Sequence, residues 1–119
     1  MPKRAKSKDP PDAGTQFLQE LDGREVPSLA RARGTIRFDL ADDGRTRHVR
    51  VELDRGRISV SRGAGAADCV VRMDAKLFGE VATGKANPLA AVLRGVLTFD
   101  GDPELLVLFR RAVAEPRNL

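Results

Sequence analysis

The chain has 119 residues, of which 41% are hydrophobic and 32% charged, and its formal net charge at pH 7 is +4. This length suits a single domain, and the balance of apolar and charged residues excludes wholesale disorder. No apolar run approaches the roughly 20 residues of a membrane-spanning helix, and no signal-peptide pattern opens the chain, so we expect a soluble, cytoplasmic protein. The only cysteine, Cys69, cannot form an internal disulfide.

Residues 1–13 have the composition of a disordered basic tail. They hold four Lys or Arg against two Asp, a Pro10-Pro11 pair and almost no large apolar side chain. A tail of this kind either keeps the protein soluble or touches an anionic surface, and we expect the first role. The folded domain then covers residues 14–119.

The first part of the domain predicts a short helix followed by three strands. Apolar side chains recur at helical spacing behind Thr15, and Gly23 ends the element. Apolar and polar residues then alternate over residues 36–40, 48–53 and 57–61, with turns rich in Asp and Gly between them. Each strand has one apolar and one polar face, so we expect an antiparallel meander that is covered on one side only.

The second part of the domain predicts two more strands and three helices. Asp and Asn are favoured helix caps, and proline suits the first helical position. The predicted elements are a strand over 68–73 with Cys69 in the core, helices from Asp74 to Gly84 and from Asn87 to Gly95, a strand over 96–100 that turns Leu97 and Phe99 inward, and a final helix from Asp102. The fold class is α+β: a five-stranded sheet, made of the meander and two strands after a crossover, with helices on one face.

Two glycine motifs imitate nucleotide-binding loops without their structural setting. The stretch from Gly79 to Lys85 matches the phosphate loop pattern, but helical periodicity precedes it and Ala86 replaces the Ser or Thr that would hold magnesium. The Gly and Ala residues at 63–67 resemble a dinucleotide fingerprint, yet a strand follows them instead of a helix. We therefore expect no nucleotide cofactor.

The chain also lacks the residue sets that catalysis and metal binding need. His48 lies on the polar face of a strand with no Ser or Cys partner, so we interpret it as a solvated surface residue. One His and one Cys cannot supply a usual zinc site. The sequence predicts no catalytic residue, no metal and no cofactor.

Basic side chains on the polar face of the predicted sheet raise two further hypotheses. Arg37, Arg50 and Arg57 share that face with the acids Asp39 and Glu52. All five phenylalanines fall in apolar registers, so none is free to stack on a base, and we expect no nucleic acid partner. A weak nucleic-acid-binding protein is one alternative. Another gives these arginines and the basic tail a role in docking to an anionic membrane surface.

Several short motifs in the second half of the chain carry a family resemblance. They are Ala67-Asp68-Cys69 ahead of a helix, Thr83-Gly84-Lys85 with Asn87-Pro88, Leu93-Arg94-Gly95 entering a strand, and Gly101-Asp102 opening the last helix. In sequence and spacing they resemble the sterol carrier protein 2 family, and the likeness extends over residues 15–113. It implies a non-catalytic carrier that holds a sterol, fatty acid or acyl-CoA in an apolar cavity between sheet and helices.

The resemblance leaves the cargo and the biological role open. Most basic residues are Arg, and Ala and Gly are abundant, so we expect a bacterial protein whose cargo is not sterol. The favoured ligand is a single-chain lipid, and the alternative is a partner-binding scaffold in lipid or quinone metabolism. The predicted cavity is lined by Leu77, Phe78, Val81, Leu89, Val92, Leu93, Leu105 and Phe109.

One residue of the last helix does not fit its apolar stripe. Val107 lies roughly opposite Leu105 on the helical wheel and is expected to point outward. It is an ordinary exposed valine, a contact of a homodimer, or part of a mobile lid over the cavity. We expect ordinary exposure first and the homodimer second.

Overall fold

The predicted elements are all present in a computed structural model, which describes residues 13–114 and the side chains of residues 14–111. The predicted tail lies outside the described residues except for Ala13, which begins the first helix. The helices are α1 (Ala13–Leu21), α2 (Ala75–Ala82), α3 (Pro88–Leu93) and α4 (Pro103–Ala114). The strands are β1 (Arg33–Asp42), β2 (Arg45–Asp54), β3 (Arg57–Arg62), β4 (Cys69–Asp74) and β5 (Leu97–Gly101), and a 3₁₀ turn (Pro27–Leu29) precedes β1.

The five strands form one mixed sheet in the order β3-β2-β1-β4-β5. The pairs β1–β2, β2–β3 and β4–β5 are antiparallel, and β1–β4 is parallel. Both turns of the meander contain a residue that accepts positive φ, Asp43 and Arg55, followed by Gly44 and Gly56 with φ of 81° and 96°. The predicted α+β class and the predicted meander are therefore confirmed.

The caps of α2 and α3 form where the sequence places them. The Asp74 carboxylate accepts hydrogen bonds from the backbone N–H of Lys76 at 2.7 Å and of Leu77 at 3.4 Å. The Asn87 side-chain oxygen accepts from Leu89 at 2.8 Å and from Ala90 at 3.2 Å. Each cap satisfies backbone donors that would otherwise lack a partner, and so it fixes where the helix starts.

The start of β4 is held to both of its neighbours by Asp68. Its carboxylate accepts from the Thr35 N–H at 2.9 Å, and its carbonyl oxygen accepts from the Asp102 N–H at 3.0 Å. Gly101 passes so close to this carbonyl, with φ of 111°, that a Cβ there would collide with it. Asp68 and Gly101 therefore have structural roles.

The core lies between the sheet and the helices and is built from one face of each strand. Ile36, Phe38 and Leu40 of β1 are buried, and Cys69, Val71 and Met73 of β4 lie beside them. Helix α1 packs on α2, and α4 lies over β1 and β4. Among the described residues, none of the helices has the length and apolar character needed to cross a membrane.

The prediction for Phe99 is only half right. Phe99 pairs with Val71 and faces the helix-covered side, as expected, but 40% of its surface stays exposed. It lies on an edge strand and borders an open cleft, which leaves part of its ring exposed.

Candidate functional site

An apolar cleft of about 480 Å³ opens on the helix-covered face of the sheet. Residues of α2, α3 and the loop between them line one side, and residues of α4 line the other. Of the lining residues that the structure describes, Asn87 and Arg110 alone have polar side chains. These lining residues are Phe17, Phe38, Met73, Phe78, Val81, Ala82, Gly84, Ala86, Asn87, Pro88, Leu89, Val92, Leu97, Phe99, Leu106, Val107, Phe109 and Arg110.

Four phenylalanines meet at the floor of the cleft and join three helices to the sheet. Phe38 of β1 lies 5.2 Å from Phe78 of α2 and 5.5 Å from Phe109 of α4, between ring centroids. Phe17 of α1 closes the ring with edge-on contacts at 6.1 Å to Phe78 and 6.4 Å to Phe109. Aromatic pairs at these separations stabilise one another beyond simple burial. The floor of the cleft is therefore a packed aromatic cluster, and helices α2, α3 and α4 form the walls above it.

The structure brings five of the eight residues predicted from the sequence into this cleft. They are Phe78, Val81, Leu89, Val92 and Phe109. Leu77, Leu93 and Leu105 do not line it. Helical spacing identifies an apolar stripe, but a stripe is wide enough for its two edges to meet different surroundings.

Each of the three remaining leucines lies in a different environment. Leu77 is half-buried against the core. Leu105 is buried over Gly34, where an added Cβ would come within 2.7 Å of the leucine Cδ2. Leu93 is 81% exposed, on the side of α3 that faces away from the core.

The sequence did not assign several lining residues to the cavity. Phe38, Met73 and Leu97 were expected in the core, and the cleft reaches down to them. Arg110 was not assigned to the cavity, because a charged residue on the last helix is ordinarily solvated. The three-residue spacing that links Val107 to Arg110 places both on the same side of α4, and this spacing was the available clue.

One charged group among the described residues lies at the edge of the cleft. The side-chain oxygen of Asn87 is used by the α3 cap. Arg110 makes no hydrogen bond or ion pair with any residue that the structure describes. Its neighbour Arg111 is also exposed but does not line the cleft. The apolar space therefore ends at a positive charge that nothing in the described fold neutralises.

The opposite face of the sheet carries a compact network centred on Asp39. Arg37 donates two hydrogen bonds to its carboxylate, at 2.9 Å and 3.1 Å, and His48 Nδ1 lies 2.6 Å from the same group. The Asp39 side chain is 10% exposed and that of Arg37 17%. Burial raises the pKa of Asp39, but hydrogen bonds from Arg37 and His48 and the nearby positive charge outweigh it, and the pKa lies below its ordinary value.

The crossover between β3 and β4 covers this network. Arg37 also donates to the carbonyl oxygens of Ala64 at 3.0 Å and Gly65 at 3.2 Å, and Arg50 donates to that of Ala66 at 3.4 Å. The His48 side chain is 35% exposed, in keeping with the surface position expected for it, and its cross-strand pairing with Asp39 adds a contact that the sequence did not indicate. Arg37 and Arg50 are likewise occupied and do not form an open basic surface.

The remaining motifs have structural roles. The phosphate-loop imitation begins inside α2, whereas such a loop follows a strand, and its Lys85 N–H and the N–H of the next residue, Ala86, bond back to the Glu80 carbonyl. Cys69 is buried, as predicted, and burial together with the charges of Asp102 and Asp100 raises the pKa of its thiol. At neutral pH this thiol is protonated and unreactive.

Comparison with protein families decides the identity of the fold. The model of the SCP-2 sterol transfer family matches residues 15–114. This chain belongs to that family. The recognition made from the short motifs is thereby confirmed, and those motifs lie at the caps, turns and strand starts of the SCP-2 fold. No curated protein is similar enough to the chain to count as a match.

Solved structures support the same fold. Sterol carrier protein domain 2 of Helicoverpa armigera is 17% identical, with a TM-score of 0.67 over 93% of this chain and 97% of that one. Sterol Carrier Protein 2 of Aedes aegypti, solved with the C16 fatty acid palmitate, is 17% identical, with a TM-score of 0.63 over 86% of this chain and 88% of that one.

A similar domain also occurs inside an enzyme. The stereoselective inverting sec-alkylsulfatase Pisa1 from Pseudomonas sp. is 20% identical, with a TM-score of 0.70 over 85% of this chain. The SCP-2 chain described here covers 16% of the length of that enzyme. This likeness concerns the fold, and it extends to only a small part of the sulfatase.

Proposed function

We propose that the cleft holds the acyl chain of a single-chain lipid, such as a fatty acid or an acyl-CoA, and that the protein carries this lipid without converting it. The observation that supports the proposal is the cleft itself, about 480 Å³ of apolar space above four packed phenylalanines. This volume lies within the range of small-molecule sites. The palmitate complex of the Aedes aegypti relative points to the same class of ligand.

Burial of an acyl chain in this space supplies most of the free energy for binding. Each buried CH₂ group contributes about 0.8 kcal/mol, so a dozen methylenes contribute about 10 kcal/mol, against the roughly 8 kcal/mol of micromolar affinity. The entropy lost on association offsets part of this gain, and a charge-assisted contact to the head group restores some of it. This division agrees with a lining whose described residues include only Asn87 and Arg110 as polar side chains.

Arg110 favours a ligand with a negative head. A carboxylate or phosphate at the cleft edge would receive charge-assisted hydrogen bonds from its guanidinium. A sterol presents only a hydroxyl there, and the positive charge would remain unpaired. We therefore place fatty acids and acyl-CoA before sterols.

The polar network supports a role in carriage and not in catalysis. His48, the only histidine of the chain, is on the sheet face opposite the cleft, and its Nδ1 is bound to Asp39. Among residues 14–111, Arg110 is the one ionisable side chain that lines the cleft, so these residues offer the ligand no general acid or base.

Filling the cleft tests the proposal directly. Ala82 is half-buried in the lining, and Ala82→Phe would occupy space that an acyl chain needs. We expect palmitate to bind at least tenfold more weakly to this variant, measured by displacement of a fluorescent fatty acid, with no fall in the melting temperature. Ala90→Phe is the matched control, because Ala90 is exposed on α3 and does not line the cleft.

Two results would contradict this function. Wild-type protein that shows no saturable binding of palmitate or of the fluorescent fatty acid would favour the partner-binding scaffold. Equal losses in the Ala82 and Ala90 variants would place the acyl chain outside the cleft. Native mass spectrometry of the purified protein, followed by extraction of any bound molecule, gives the ligand's identity independently.

A further inference from the structure

Helix α3 presents apolar side chains to solvent. Leu89 is 62% exposed and Leu93 is 81% exposed. They are four residues apart, so they lie on the same face of the helix. Ala91 on the opposite side of α3 is buried, and Val92, between the two sides, is half-buried. The described fold thus covers one side of this short helix and leaves two leucines of the other side uncovered.

Only positive charges accompany these leucines along the chain. Residues 81–99 contain no Asp or Glu, and their charged residues are Lys85, before α3, and Arg94, after it. Both are exposed. We use the name α3 face for Leu89, Leu93, Lys85 and Arg94 together. It is an apolar centre with a cation at each end.

We propose that the α3 face docks the protein onto an anionic lipid bilayer. Exposed leucines enter the boundary between headgroups and acyl chains, and flanking cations are attracted to anionic headgroups. Leu89 belongs to the α3 face and also lines the cleft, while Val107 and Arg110 form the opposite lip. Docking would therefore set the mouth of the cleft against the bilayer.

The docking does not require that the cleft bind lipid. Its consequence does rest on the proposed function: an acyl chain could pass between bilayer and cleft without crossing bulk water. The two ideas fail separately, because docking is measured with empty protein and vesicles, whereas acyl binding is measured with palmitate in solution.

A second copy of the chain fits the α3 face less well than a bilayer. A stable protein interface buries about 1,600 Å², which far exceeds what two leucines present. Two α3 faces meeting across a dimer axis would also bring Lys85 and Arg94 of each copy near those of the other. An anionic surface removes that repulsion and supplies the missing counter-charge.

Charge-matched variants distinguish the α3 face from the polar face of the sheet. Arg94→Gln removes a cation of the α3 face, and Arg57→Gln removes an exposed cation of β3 on the opposite side. With the full chain and vesicles of phosphatidylglycerol and phosphatidylcholine, we expect Arg94→Gln to weaken co-sedimentation about fivefold and Arg57→Gln to leave it unchanged. A larger loss with Arg57→Gln, or no binding by the wild type, would overturn the proposal.

A tryptophan reporter measures insertion itself. The chain contains no Trp or Tyr, so a single Trp reports its own surroundings. We expect Leu93→Trp to shift its emission to shorter wavelength with anionic vesicles, and Ser59→Trp, exposed on β3, to remain unshifted. Equal behaviour of the two reporters would overturn the proposal. A shift of the Leu93→Trp signal with protein concentration alone would show that a second copy occupies this face.

Discussion

On the polar face of the sheet, Asp39, Arg37 and His48 satisfy one another, whereas on the helix-covered face apolar side chains are left beside an open cleft. Asp39 receives Arg37 and His48 and lies under the crossover at 63–67. The cleft has an apolar lining and one unneutralised cation, Arg110. The histidine and the carboxylate with the lowered pKa are thus engaged with each other beneath the crossover. The cleft is apolar and open to solvent.

The largest effect on stability is expected from removing the carboxylate at the centre of the polar-face network. Asp39→Ala removes the acceptor of Arg37 and His48 and leaves a largely buried guanidinium without its carboxylate. Loss of one partner from such a pair costs about 2 to 3 kcal/mol of unfolding free energy. Urea denaturation of the wild type and the variant measures this loss of unfolding free energy. The control is Asp42→Ala at the exposed end of β1, whose ion pair with Arg47 spans 3.9 Å and is worth about 0.5 kcal/mol or less.

Acid titration gives an independent measurement of the same group. The pKa of Asp39 is lowered in the folded state, so the unfolded chain binds its proton first as pH falls. Its contribution is complete above the unfolded value of about 3.9 and is lost as pH drops through the lowered folded pKa. We expect wild-type stability to rise with pH across that window more steeply than that of Asp39→Ala. Parallel curves, or weaker palmitate binding by the folded variant, would contradict a purely structural role.

Sequence reasoning succeeded where structure is set locally. The caps Asp74 and Asn87 and the two Asp- and Gly-rich turns depend on residues within a few positions of one another. It failed for the network around Asp39, because the contact with His48 exists only once β1 and β2 pair in one particular register. Alternation showed that both side chains were on the polar face, but it did not show that they were opposite each other.

The cleft shows the same limit for apolar residues. Three leucines belong to the apolar stripes of their helices yet do not line the cleft. Leu77 packs on the core, Leu93 is exposed to solvent, and Leu105 lies over Gly34. Their stripes predict burial of a helix face. Which part of that face meets a cavity depends on how the helices are placed over the sheet, and helical periodicity carries no information about that placement.

A smaller effect is expected on palmitate affinity when the positive charge at the edge of the cleft is removed. Arg110→Gln should weaken palmitate binding about fivefold to tenfold, or about 1 kcal/mol, while leaving hexadecanol, the uncharged alcohol of equal length, unaffected. Arg111→Gln makes the same change one residue away, outside the cleft, and should alter neither ligand. Isothermal titration of both ligands with both variants measures this. Equal losses for palmitate and hexadecanol would mean that Arg110 contributes through packing and not through charge.

The smallest effect concerns Val107, which is 57% exposed at the lip of the cleft. If that exposure is ordinary, Val107→Glu should change the unfolding free energy by no more than about 0.5 kcal/mol, and both proteins should sediment as monomers. A homodimer contact would behave differently, since a buried, unpaired carboxylate would dissociate the dimer and lower the melting temperature. Because Val107 also lines the cleft, palmitate affinity does not decide between these roles. Sedimentation and denaturation do, since neither measurement depends on a ligand.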